Sequence, residues 1–262
     1  MISTLLQYQL VSSNIDRSLE IVAQEPTVER ETAYYLENIE NIDSIDDFLE
    51  DDRIFAYAMK AHGLEEMTYA KAFMRKVLEE GVDETTAFAN QLADDRYVNF
   101  AETFNFATFG DTATVFSKAQ EGTVENYARQ TLEENEGESN AGVRLALYFS
   151  RKAADISSAY DVLADQALAE TVYTALGLPD EFAMSDIDKQ AEYISEKIDF
   201  EQLGDPEYVD ELLQRFSALY DLENGTNLDT VPNLQISSGT TTTISIGESL
   251  LASIQSLKLG GS

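Results

Sequence analysis

The chain has 262 residues, of which 44% are hydrophobic and 10% aromatic; that is enough for a real core in one large or two small domains, and it excludes global disorder. Its 17 basic against 49 acidic residues leave a net charge of −32, which repels nucleic acid and anionic lipid and fits either a basic partner or a simple solvated acidic face. With no cysteine and one histidine, disulfides, thiolate metal sites, cysteine nucleophiles and polyhistidine cages are excluded.

The first 26 residues lack a positive n-region, a compact apolar run and a small-residue cleavage site, so no cleavable secretory signal is expected. No window approaches the roughly eighteen apolar residues that a membrane span requires. Met1, Leu5, Tyr8, Ser12, Ile15, Leu19 and Val22 alternate at four- and three-residue spacing. That is a coiled-coil seam and predicts an N-terminal amphipathic helix over 1–26, ended by Pro26.

A helical body is expected over 27–223. Its first helix runs from Thr27, as cap, to Asn41, with Tyr34, Tyr35, Leu36 and Ile39 inward. Ser44 with Asp47 resembles a capping box that buries Phe48 and Leu49. Asp51 or Asp52 then caps a helix whose stripe is Ile54, Phe55, Ala58 and Ala61, and Gly63 sits where a left-handed C-cap belongs. His62, one residue earlier, suits the helix C-terminus better than catalysis. Met67 to Glu80 reads as another helix, stopped by Gly81, and Asp83 starts the next.

A shift of 43 residues aligns Leu49, Asp51, Asp52, Arg53, Tyr57 and Ala58 with Leu92, Asp94, Asp95, Arg96, Phe100 and Ala101. A fainter copy begins at Leu163, with Gly177 matching Gly63. Duplicated helical hairpins explain this better than duplicated active sites, so Asp94 and Asp95 are also expected to be caps with an arginine nearby. Phe104, Phe106 and Phe109 should form a hydrophobic corner. Helices are expected from Asp111 to Gln120 and from Thr123 onward. Glu133 to Gly142, broken by glycine and charge, reads as a loop and a sub-boundary near 133–142. Val143–Ala153 and Ser185–Ile198 read as helices, and Asp205-Pro206 as the cap and first turn of a helix reaching Tyr220. The segment 224–262, rich in Ser, Thr and Gly, suits a partly extended tail, flexible or docked on a partner, with Leu250, Ile254 and Leu257 as a short apolar stripe. The fold class expected is all-α, a multi-helix domain built from weakly repeated hairpins.

No chemistry stands out. Acids scattered along helix starts do not make the cleft that glycoside hydrolysis needs, and one histidine cannot supply two Glu-x-x-His pairs for a di-metal bundle. "DIDKQAEYISEK", Asp186 to Lys197, lacks the central glycine and final glutamate of a calcium loop. Phosphate-cradling glycine motifs are absent. A non-enzymatic protein is expected, with no cofactor, no metal and no catalytic residue.

Three passages, "YYLENIENIDSIDDFLEDDRIFAYAMKAHGLEEMTYAKAFMRKVLEEGV", "FANQLADDRY" and "GVRLALYFSRKA", resemble an uncharacterised family labelled as a domain of unknown function and found mainly in alpha-proteobacteria. The resemblance covers roughly Pro26 to Tyr220. Members of that family are often encoded among flagellar genes, which implies a motility role. Flagellar filament, hook and rod components resemble this chain in lacking cysteine and cleavable signals and in carrying amphipathic segments at both ends. Two readings follow: a structural or assembly component, exported to the flagellum or not, and a cytoplasmic acidic adaptor or regulator holding a basic partner. The stripe that would serve assembly is Leu5, Tyr8, Ile15, Leu19 and Val22, with Leu250, Ile254 and Leu257. Protein partners are expected, with no nucleic acid and no membrane insertion.

Overall fold

Apolar residues at three- and four-residue spacing can be buried together only on helices, and the regular elements of this protein are helices. The computed structural model describes residues 2–224; the expected extended tail and its Leu250, Ile254 and Leu257 lie outside the described residues. Among the described residues there is no strand, so the fold is all-α. The α-helices are α1 (Thr4–Ser12), α2 (Ile15–Ala23), α3 (Pro26–Asn38), α4 (Ile45–Glu50), α5 (Asp52–Ala61), α6 (Lys71–Glu80), α7 (Arg96–Thr103), α8 (Phe106–Phe109), α9 (Glu121–Ser139), α10 (Ala141–Lys152), α11 (Ala159–Ala164), α12 (Gln166–Leu176), α13 (Ile187–Lys197) and α14 (Pro206–Glu223).

Among the described residues the chain divides into two compact units, Gln9–Arg144 and residues 2–8 with 145–224. In the first, α5 packs on α3 and α9. Its core holds a tyrosine stack, with Tyr57 parallel to Tyr35 at 4.4 Å and to Tyr127 at 3.9 Å between ring centroids. Beside it Phe48 meets Phe55, Phe100, Phe104 and Phe106. In the second unit α12 packs on α14 and α11, and α11 on α13, burying Val172, Ile194, Leu212 and Phe216.

Each unit contains the same local device. Ser44 caps α4 and Ser158 caps α11, each accepting the N–H of the aspartate three residues on, Asp47 or Asp161. Asp51 and Asp165 cap α5 and α12, each accepting two N–H groups. Gly63 and Gly177 follow those helices at φ 68° and 65°. There, Leu64 N–H donates to the Met59 carbonyl at 2.8 Å and Leu178 N–H to the Tyr173 carbonyl at 2.9 Å. That closing turn needs a left-handed residue, which glycine adopts without a Cβ penalty. Each residue of the second set lies 114 positions after its counterpart, Ser44 to Ser158 and Gly63 to Gly177 alike. The 43-residue alignment is the weaker one: α7 has no serine-capped turn before it and ends at Thr103 without a glycine.

Several expected elements are corrected. The N-terminal seam is not one helix, because Ser13 and Asn14 interrupt it and Asn14 N–H turns back to the Val11 carbonyl. Such short polar side chains compete with helical backbone bonding. Pro26 opens α3 instead of only closing α2, since a first-turn position needs no N–H; Glu25, not Thr27, stands at the cap position. Tyr35 on α3 and Ile39 just after it are buried as expected, but Leu36 is exposed. Neither Asp83 nor Asp111 starts an α-helix. Asn90 Nδ2 ties the loop after Gly81 by donating to the Val82 and Glu84 carbonyls at 2.8 and 2.9 Å. After Phe109 only a 3₁₀ turn, Gly110–Thr112, forms. Phe104 and Phe106 are buried, whereas Phe109 is exposed against Phe116.

The loop expected over 133–142 is corrected, whereas the division between the two units falls close by, after Arg144. This stretch is helical apart from Asn140. Gly137 is an interior helical residue, and a Cβ there would lie 2.9–3.4 Å from the Arg144 stem. Its glycine serves a close approach, not a loop.

Candidate interaction surface

No charged side chain precedes Asp16, in a chain where a quarter of the residues are charged. The helix α1 that this stretch forms is apolar on two sides. Its inward row is Thr4, Tyr8 and Val11, all buried. Thr4 anchors it: its N–H lies 3.1 and 3.3 Å from the two carboxylate oxygens of Asp221, and its hydroxyl donates to the same group. A carboxylate at the first turn also complements the helix dipole. The Tyr8 hydroxyl donates to Asp210 Oδ1 at 3.3 Å. Both acceptors belong to α14.

The outward row is Ile2, Leu6 and Leu10, 54%, 50% and 60% exposed. Spacing of four residues places Leu6 and Leu10 one above the other along α1, and Ile2 lies just before its first turn. Isolated exposed leucines are ordinary, but two on one face of a helix without charge, with an exposed isoleucine just before it, make a surface that gains by being covered.

The stripe expected from the heptad pattern is therefore only partly the outward one. Tyr8 and Val22 are buried and serve their own unit, while Leu5, Ile15 and Leu19 are half-buried. Heptad counting selected the row holding Leu5 and Tyr8 and passed over the row holding Leu6 and Leu10. The signal for the latter was the uncharged stretch combined with four-residue spacing.

The acidic helix starts sort by role. Ser44 accepts Asp47 N–H at 3.1 Å and its hydroxyl donates to the Asp47 carboxylate at 2.6 Å. Asp51 Oδ1 accepts from Arg53 N and Ile54 N at 3.0 and 2.9 Å, and Asp205 from Glu207 N at 3.0 Å. Asp94 accepts Arg96 N–H at 3.0 Å and pairs with its guanidinium at 2.7 Å. Asp52 and Asp95 are corrections. Asp52 is the first residue of α5 and pairs with Lys71, and Asp95 precedes α7 without accepting a capping bond. In each Asp-Asp pair the first residue takes the N–H groups.

The arginines do not share one arrangement. Arg53 Nε reaches Glu31 at 2.5 Å and its guanidinium lies 3.9 Å over the Tyr34 ring. Arg53, more than Arg30, holds the Glu31 carboxyl below its ordinary range against the opposing effect of burial. Arg96 Nη1 donates to the Gly63 carbonyl at 2.6 Å, fixing the turn that ends α5. The His62 ring packs edge-on to Phe100 and Phe104.

Among the described residues no group of three or more His, Cys, Asp or Glu is placed to hold a metal ion, and no helix is long and apolar enough to cross a membrane.

A family model described as "Protein of unknown function (DUF1217)" matches residues 61–209. A search of curated proteins finds no match. A crystal structure of a protein from Agrobacterium tumefaciens is similar at 48% identity and a TM-score of 0.80, over 86% of this chain and 97% of that one.

Proposed function

We propose, given that the chain belongs to the DUF1217 family of proteins of unknown function, that it is a non-enzymatic structural or assembly component associated with the bacterial flagellum. The observation that carries this reading is the outward face of α1. Leu6 and Leu10 stay exposed on an uncharged helix, with Ile2 exposed just before it, while the rest of the chain is strongly acidic. Covering that row would remove apolar area from water without desolvating any charge, the favourable situation for a packed contact. The flagellar setting rests on the resemblance to alpha-proteobacterial proteins encoded among flagellar genes.

A second reading is supported by the net charge of −32. A cytoplasmic adaptor or regulator would use its acidic surface to hold a basic partner, through contacts that weaken as salt screens them. Fractionation separates the two. A component co-sediments with purified basal bodies and depends on Leu6 and Leu10; an adaptor stays in the cytoplasm and releases its partner at high salt.

A further inference from the structure

Arg215, in the interior of α14, has its Nε–H shielded from solvent with no hydrogen-bond partner. In so acidic a chain guanidinium groups readily find acceptors: Arg53 meets Glu31, Arg75 meets Asp46, and Arg129 meets Glu133. Arg215 instead lines a cavity of about 270 Å³, together with Tyr193, Glu196 and Lys197 of α13 and Leu176 at the end of α12. Among the described residues neither Arg215 nor Lys197 makes an ion pair; Lys197 Nζ lies 5.5 Å over the Tyr193 ring. Lys197, in the last turn of α13, has a structural role in complementing that helix's dipole. Arg215 has no such role, because it sits mid-helix. A shielded donor without an acceptor is unfavourable, and because solvent does not reach Nε, the outer Nη groups of the guanidinium are the donors open to an acceptor that enters the cavity.

We propose that this cavity binds the carboxylate group of a small organic acid. Two oxygens in one plane match the planar donor fork of a guanidinium, which a spherical anion does not. One arginine and one lysine against one glutamate leave the lining with a single net positive charge, suited to a monoanion and opposed to a phosphate dianion. Leu176 and the Tyr193 ring offer apolar wall for a short hydrocarbon chain. The volume falls below the roughly 300–1,000 Å³ of sites for drug-sized ligands, which restricts the ligand to a few carbons. The inference is independent of the flagellar reading.

The test is an NMR titration of the full chain labelled with ¹⁵N, following the Arg215 Nε–H signal, assigned by its loss in Arg215→Lys. The probes are sodium butyrate, inorganic phosphate and sodium chloride. Butyrate is expected to shift the signal saturably at millimolar concentration, phosphate more weakly, and chloride without saturation. Followed through backbone amides of α13, Arg215→Lys should weaken butyrate binding roughly tenfold, as expected for a lost bidentate pair. Glu196→Gln, exposed and readily tolerated, should strengthen phosphate binding relative to wild type. The proposal is overturned by an unsaturable butyrate shift, by phosphate binding more tightly than butyrate in the wild type, or by unchanged phosphate affinity in Glu196→Gln.

Discussion

The Tyr34 hydroxyl donates to Asp51 Oδ2 at 2.9 Å, on the carboxylate whose other oxygen caps α5. Its counterpart 114 residues on is the same contact: Tyr148 donates to Asp165 Oδ2 at 2.5 Å, while Oδ1 receives the N–H groups of Ala167 and Leu168. One aspartate in each unit thus ties the start of a helix to a tyrosine on the preceding long helix. Asp51→Ala and Asp165→Ala should each cost about 1–2 kcal/mol, the upper range for a lost N-cap, because the tyrosine loses its acceptor as well. Asp52→Ala removes only an exposed ion pair and should stay within about 1 kcal/mol. Urea unfolding of the three variants checks the order.

Two of the four described glycines at positive φ, Gly63 and Gly177, make a paired prediction. Gly63→Ala and Gly177→Ala force a Cβ into left-handed backbone and should each cost about 1–2 kcal/mol. Gly204 has open space where a Cβ would stand and no positive φ, so Gly204→Ala should change stability by less than about 0.5 kcal/mol. Equal effects at all three positions would remove the helix-ending role assigned to the first two.

How much of this was legible in the sequence depended on whether the signal was local. Ser44, Asp51, Gly63, Gly177 and Asp205-Pro206 were readable because each acts on backbone groups within a few residues. The 114-residue correspondence was legible only faintly, as the copy beginning at Leu163 with Gly177 matching Gly63, since it preserves roles (hydroxyl cap, carboxylate cap, left-handed exit) more than wording. The identical Asp-Asp-Arg tripeptides drew attention to the 43-residue shift instead. Gly137 misled for a tertiary reason: its missing side chain makes way for Arg144, and spacing carries no trace of that. On α1 both helix faces are apolar, so periodicity alone could not say which row faces out.

Glu133 is 1% exposed and holds Arg129 Nε at 3.0 Å on the next turn of α9. Removing one member of a buried pair takes a charge partner from the other, so Glu133→Ala should cost about 3 kcal/mol. Thermal melting of this variant beside Glu134→Ala, whose pair with Lys60 is more exposed, is the measurement. Equal losses would contradict the burial argument.

Two kinds of group give opposite pH responses. Burial raises the Asp161 carboxyl, but bonds from Ser157 and Ser158 outweigh it and hold the group below its ordinary value. A depressed folded-state pKa contributes stability above the unfolded value and loses it as pH falls through the folded one. Asp161→Asn should therefore flatten part of the acid limb of the stability curve. Tyr35 and Tyr57 are displaced upward, chiefly by burial. Their contribution is complete below the ordinary tyrosine range near about 10 and is lost as pH rises beyond it. Spectrophotometric titration should show these two hydroxyls ionising only as the fold opens.

The outward row of α1 decides whether this chain is an assembly component. Leu6→Ser with Leu10→Ser alters two side chains that are already half or more exposed, so the melting transition should move little. The measurement is the amount of protein that co-sediments with purified basal bodies, wild type against this double variant, with the melt of each recorded alongside. Loss of co-sedimentation at an unchanged melt is the predicted result. Undiminished co-sedimentation of the double variant, or a wild-type protein found only in the cytoplasmic fraction, would contradict it.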